Sequence, residues 1–312
     1  MFIISILLLM AVVSFTDPAA VLDAISKSDL NCLLVAFAGA NLALLIRVLK
    51  WKVLLNDISF MNLMPVQIFG LSLSNLTPGK AAEPIKSFAL KLWKNTPVSS
   101  TLPTVIWERV MDIIILIIFG CVGVYLVVHQ YFFLGIVSII IFTAFIFSMI
   151  FILYNKPFGF RVFNALKKLP VLNKINEQFL KTFYESRIPG RKLMLCLIIT
   201  LLAWLLDGLT FYLVLLSFSV NLPVSAIFLM SCVLSLSILI GLLSTLPGGI
   251  GGTEVVMVVL LMSMGVEQVI AVSTVILGRF ITLGYSMILG YASFLYLSKK
   301  IDIKNIMEKI WI

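Results

Sequence analysis

Two carboxylate–arginine couples recur at nearly the same interval. Glu83 precedes Arg109 by 26 residues, and Glu254 precedes Arg279 by 25. Each couple follows a proline–glycine break: Asn75-Leu76-Thr77-Pro78-Gly79-Lys80 in the first, Leu246-Pro247-Gly248-Gly249-Ile250-Gly251-Gly252 in the second. A guanidinium grips a phosphate through two parallel hydrogen bonds. Glycine amides at the start of a helix offer N–H groups to an anion. The pattern predicts binding of a phosphate-bearing group by Arg109, Arg279 and Lys80, with the backbone of Gly248, Gly249, Gly251 and Gly252 as a cradle. Arg47, Lys86 and Asp207 are further candidates. So are Glu108 and Asp112, which share one helical face at i,i+4. A structural reading competes: Glu83–Arg109 and Glu254–Arg279 as ion pairs that lock each broken segment to its neighbour. Glu83 and Glu254 could equally carry a coupling proton. Lys91 and Lys94 read as inner-leaflet anchors, and Trp51, Trp93 and Trp107 as interface anchors.

The elements that hold these residues are apolar. Of 312 residues, 61% are hydrophobic and only 12% are charged, about half the usual charged share of roughly 25%. Mean hydropathy is +1.15. This excludes a soluble enzyme, a disordered chain and a secreted disulfide scaffold. The apolar runs are continuous, so they predict helices rather than a barrel. The fold class expected is an all-α polytopic membrane protein with about six full transmembrane helices and two re-entrant, Pro/Gly-broken hairpins. The full spans are Phe2–Phe15 (short), Asn31–Leu49, Leu102–Val128, Phe132–Tyr154, Leu193–Phe218 and Val269–Leu297. The hairpins are Leu63–Thr77 with its Pro-Gly break and Val224–Gly265. Asp17–Asp29 reads as a polar external loop. Cys32, Cys121, Cys196 and Cys232 lie in apolar runs without metal-ligand spacing, and His129 stands alone in a connector, so no metal and no cofactor is expected.

The net charge of +9 reads as topology. Of the 23 Lys and Arg, 20 fall within 47–52, 80–94, 156–192 and 299–309. All four segments lie on one side in this scheme, which places the chain in the cytoplasmic membrane with both termini cytoplasmic. Segment 155–192 reads as a basic amphipathic helix on the inner leaflet, and 299–312 as a cytoplasmic tail. The chain is expected to form one integral membrane domain in which 1–128 and 129–298 are inverted repeats. Paired, Gly/Pro-interrupted segments in two inverted halves point to a transport site.

Arg47…Trp51, then Asn75…Pro78-Gly79-Lys80…Glu83…Lys86, then Glu108-Arg109…Asp112, then Pro247-Gly248-Gly249-Ile250-Gly251-Gly252…Glu254 together resemble the transmembrane region of the lysylphosphatidylglycerol synthase family over almost the whole chain. The resemblance implies a lipid-flipping membrane domain. In the bifunctional synthases a separate soluble domain performs aminoacyl transfer. Only about a dozen residues follow the last span here, so that activity is not expected. Lys80 and Ala82 stand where the family's first motif usually has Arg and Gly, which keeps the charge and loses the fork geometry.

The expectation is a flippase or transporter for a phospholipid or a polyprenyl-phosphate glycolipid. Its partners would be membrane lipids with an anionic or phosphate-bearing head group; the sequence is compatible with a homo-oligomer and gives no sign of nucleic-acid binding. No GxxxxGK[ST] loop is present to use ATP directly. An intramembrane transferase acting on a polyprenyl-phosphate donor, with Glu108 or Asp112 as base, and a small-solute transporter are the alternatives.

Overall fold

The computed structural model describes residues 16–301 except 56, 78–79, 81, 128–139, 141–142, 145–146, 149, 152–154, 167–183, 186–187, 244–245 and 247. The expected span Phe2–Phe15, His129, most of the expected span Phe132–Tyr154, half of segment 155–192 and the tail beyond 301 lie outside the described residues. So do Pro78, Gly79 and Pro247.

All regular elements among the described residues are helical. They are α1 (Pro18–Ser26), α2 (Leu30–Leu54), α3 (Phe60–Asn75), α4 (Ile85–Lys94), α5 (Val98–Val127), α6 (Lys156–Leu166), α7 (Gly190–Leu216), α8 (Ala226–Leu243), α9 (Gly252–Ser263), α10 (Gln268–Arg279) and α11 (Tyr285–Lys300). A π-helical turn, Phe280–Gly284, joins α10 to α11, so Gln268–Lys300 runs as one 33-residue helix. That helix and α2, α5 and α7 are long and apolar enough to cross a membrane. At 1.5 Å per residue, α3 and α8 reach only about 24 and 27 Å, and α4 and α9 about 15 and 18 Å, against roughly 30 Å of hydrocarbon.

One sequence expectation changes. Asp17–Asp29 is not simply a loop but holds α1. Asp17 Oδ1 caps it by accepting from Ala19 N at 2.9 Å, with Pro18 at the first position, where a missing N–H costs nothing. Asp29 likewise caps α2 through Asn31 N at 2.9 Å. α1 then lies against α10.

α2 runs alongside α7, α3 alongside α11, and α8 alongside α5. Small residues allow the last two approaches. A Cβ on Gly290 of α11 would stand 2.1 Å from the Ser72 side chain of α3, and one on Gly120 of α5 would stand 2.8 Å from Leu239 of α8. Four apolar clusters result among the described residues, and two dominate. The larger unites α5, α7, α8, α9 and α10 around Phe119, Phe211, Met230 and Met257. The smaller gathers Val48, Trp51, Leu63, Val66, Leu90 and Val105 at the other break.

Polarity is arranged opposite to that of a water-soluble protein. Lys50, Glu83, Lys86, Glu108, Asp112 and Glu254 are buried, whereas Leu34, Leu42, Ile198, Leu202, Ile288 and Tyr291 are exposed. A surface rich in large apolar groups needs a non-aqueous surround, so the molecule is a multi-pass membrane protein.

Candidate functional site

A cavity of about 130 Å³ lies where α2, α3, α5, α7, α8 and the last long helix meet. Seven of the residues singled out in the sequence line it: Arg47, Asn75, Lys80, Arg109, Asp112, Asp207 and Arg279. The first and last of them, Arg47 and Arg279, stand 232 residues apart in the chain, and the two breaks meet beside it. A Cβ on Gly248 would stand 2.5 Å from the Asn75 carbonyl oxygen, so the end of α3 touches the glycine turn directly.

Behind this wall the charges are paired. At the first break, Lys86 is fully buried. Its Nζ donates to Gln67 Oε1 at 2.9 Å, to Glu83 Oε1 at 3.1 Å and to Glu108 Oε2, and it lies 4.6 Å from the centre of the Trp51 ring. Gln67 Nε2 donates to Glu108 Oε1 at 3.2 Å. Glu83 Oε2 meets Arg109 Nε, Arg109 Nη1 lies 3.8 Å from Asp112 Oδ2, and Lys50 Nζ donates to Asp112 Oδ1 at 2.8 Å. One connected network of hydrogen bonds and ion pairs thus runs from Gln67 to Lys50, and it pairs charges whose burial alone would be prohibitive.

The second break is tied by its backbone. Gly248, Gly249 and Gly251 have φ of 61°, 67° and 92°, the left-handed region that glycine enters without a Cβ penalty. Glu254 Oε2 accepts from Gly251 N at 2.6 Å, and its Oε1 accepts from Arg279 Nε at 2.5 Å. Arg279 Nη2 donates to the Gly248 carbonyl at 3.3 Å. The chain's own Glu254 therefore sits at the start of α9, where the sequence suggested a cradle for an external anion.

Both expected Glu–Arg pairs form, and each arginine spends its Nε on them. A third pair, Arg47 with Asp207, joins α2 to α7, through Nη2–Oδ2 and a longer Nη1–Oδ1 contact of 3.5 Å. Lys80 (φ 58°) is the exception: among the described residues it lines the cavity without a carboxylate partner. Glu83, Lys86, Glu108, Glu254 and the glycine turn stand behind the wall rather than on it.

Sequence reading missed several members. Trp51 is not an interface anchor: it is fully buried, and its Nε1 donates to Thr104 Oγ1 at 3.0 Å. Lys50 belongs to the network rather than to a basic flank. Its signal was available, since it follows Arg47 by three residues and so shares a helix face with it. Gln67 was a lone amide in the run Leu63–Phe69, a position that demands a partner. The π turn beside Arg279, which brings Thr282 and Leu283 to the cavity wall, left no comparable trace.

A helical membrane protein with a charged cavity at two touching chain breaks is the class that this geometry defines. The chain belongs to the family described as the lysylphosphatidylglycerol synthase TM region, whose pattern matches residues 2–290. It is similar to the UPF0104 membrane protein PH1989 of Pyrococcus horikoshii, with 27% identity over 293 residues, 85% of this chain and 86% of that one. A UPF0104 membrane protein of Methanothermobacter thermautotrophicus is 27% identical over 312 residues, 93% of this chain and 90% of the relative. UPF0104 membrane protein MJ1595 of Methanocaldococcus jannaschii is 24% identical, with 97% and 96% covered.

Proposed function

We propose that this chain is a flippase of the cytoplasmic membrane that moves a phosphate-bearing lipid between leaflets. The observation that carries this reading is the convergence of Arg47, Lys80, Arg109 and Arg279 on one cavity. A water needs about 10–15 Å³ on the same measure, so about 130 Å³ has room for a hydrated head group. Intramembrane cations facing such a space mark a substrate path.

The reading treats the halves as inverted repeats, each with a re-entrant hairpin, and both termini as cytoplasmic. Matching positions support it. Gly70, Glu83, Arg109 and Gly120 stand at intervals of 13, 26 and 11 residues; Gly241, Glu254, Arg279 and Gly290 stand at 13, 25 and 11. Gly120 and Gly290 each accept the hairpin arm of the opposite half. Arg47 and Asp207 each lie 17 residues beyond the first residue of α2 and α7, and they meet.

In this mechanism the head group enters the cavity while the tails stay in lipid. Glu83 and Glu254 hold the arginines by Nε and orient their remaining N–H groups. Phosphate binds those groups and the Lys80 ammonium. Rocking of one half against the other then changes which leaflet the cavity faces.

The test is translocation of a fluorescent phospholipid in sealed vesicles, read by an external quencher. Arg279→Gln is expected to reduce the rate at least tenfold while the protein still elutes as a folded species. An unchanged rate, or chemical alteration of the lipid by the pure protein, overturns the proposal.

A further inference from the structure

Lys80 differs from the other three cations on the cavity wall. Arg47 is paired with Asp207, Arg109 with Glu83 and Arg279 with Glu254. Behind the wall, Lys50 is paired with Asp112 and Lys86 with Glu108. These five pairs carry no net charge. Lys80 stands outside them, half-buried and without an ion pair among the described residues. Its φ of 58° is a backbone conformation that disfavours any residue with a Cβ, yet the position carries a lysine that lines the cavity.

The charged groups that face Lys80 are Arg47 from α2, Arg109 and Asp112 from α5, Asp207 from α7 and Arg279 from α10. Among the described residues, α8 and α11 bring only Leu234, Ile238 and Ser286 to the wall. A guanidinium keeps its proton in such a setting, whereas an amine gives its proton up when it is desolvated beside like charges. Lys80 lies between α3 and α4, outside the four helices long enough to cross a membrane. Burial, and then Arg109, Arg47 and Arg279, bring its ammonium down to about 7, with Asp112 opposing them. Near neutral pH the empty cavity can therefore shed the one positive charge that its pairs leave uncompensated, and a bound anion restores it.

Resting on the flippase reading, we infer that Lys80 Nζ takes up one proton from the adjoining water as each anionic head group enters and returns it as the head group leaves, so that the chain moves protons together with lipid. An amine, a proton and an anion combine to give an ammonium–anion pair, and no other bond changes. An empty cavity with a neutral amine carries no net charge. Neither does a loaded one with an ammonium against one negative charge. Neither state exposes an uncompensated charge when the halves rock. Anion and proton each strengthen the other's binding by the same factor. Affinity is level while the free amine is protonated and falls as pH rises through its titration.

Titration calorimetry of the detergent-solubilised protein tests this. The probe is dihexanoylphosphatidylglycerol, whose phosphodiester does not titrate between about pH 6 and pH 8, and buffers of unlike ionisation enthalpy count the protons taken up. Binding is expected to be about tenfold weaker at pH 8 than at pH 6, with nearly one proton taken up per probe at pH 8 and almost none at pH 6. Lys80→Arg is expected to take up no proton and to bind more tightly than the unaltered protein at pH 8. Lys80→Gln is expected to bind weakly and equally at both pH values. In sealed vesicles with a pH gradient, labelled lipid should gather in the leaflet on the alkaline side. Affinity independent of pH in the unaltered protein overturns the inference, as does proton uptake that persists in either variant. A gradient without effect on the lipid overturns the coupling of the two movements. Absence of probe binding at both pH values overturns the flippase reading as well, a result distinct from binding without proton uptake.

Discussion

The two breaks turn the chain by opposite means. At the first, between α3 and α4, side chains do the work: Lys86 gathers Gln67, Glu83 and Glu108 against Trp51. At the second, between α8 and α9, the backbone does it: three glycines with positive φ form the turn, and Glu254 caps the helix that follows. Both end in a glutamate that holds an arginine at the same cavity. The positioning of the guanidinium is what the two share, and the scaffold beneath it differs. The first break should therefore be sensitive to loss of charge, and the second to any added Cβ.

The largest effect is expected at the first break. Lys86→Met leaves Glu83 and Glu108 buried with a partner removed, which costs about 3–5 kcal/mol. Thermal unfolding in detergent should show a large fall in Tm, and an unchanged Tm would mean that the network does not hold α3, α4 and α5 together. Gly248→Ala addresses the second break. Left-handed backbone costs about 1–2 kcal/mol for a residue with a Cβ, and the 2.5 Å approach to Asn75 adds overpacking of about 1–3 kcal/mol. This variant should lose translocation more than the stability cost implies, because it forces the two breaks apart at the cavity. Normal transport by Gly248→Ala would remove their contact from the account.

Sequence made these breaks visible because Pro-Gly and Gly-Gly pairs interrupt apolar runs, and because a charge in such a run must have a reason to be there. Seven lining residues were accessible in this way. The partners were harder to find. Whether Lys50 points to water or to Asp112 depends on how α2 crosses α5, which one-dimensional spacing does not encode. The π turn after Arg279 is set by tertiary contacts, and its residues Phe280–Gly284 carry no distinctive pattern. The intervals among Gly70, Glu83, Arg109 and Gly120 gained meaning once Gly120 was seen to face α8 and Gly290 to face α3.

Two smaller effects sharpen the comparison of the halves. A double-mutant cycle on Arg47→Gln and Asp207→Asn should give a coupling of about 0.5–3 kcal/mol, since the pair joins α2 to α7 through two contacts. Additive unfolding free energies would dissolve that link. Gly290→Ala and Gly120→Ala probe matching positions with unequal neighbours. The first meets Ser72 at 2.1 Å, whereas the second meets only the end of the Leu239 side chain at 2.8 Å, which can turn aside. Gly290→Ala should cost about 1–3 kcal/mol and Gly120→Ala less than about 1 kcal/mol. The reverse order in thermal unfolding would contradict this approach of the helices.

The most direct test asks whether the shared cavity opens to both sides of the membrane. Leu71 lines the cavity without belonging to the charge network, so Leu71→Cys can report on access, with the unaltered protein as background for Cys32, Cys121, Cys196 and Cys232. In oriented vesicles, a membrane-impermeant thiol reagent should label position 71 from either face, and a phosphodiester lipid should slow labelling from both. Labelling from one face only, in a variant that still translocates lipid, would contradict a cavity that alternates between leaflets.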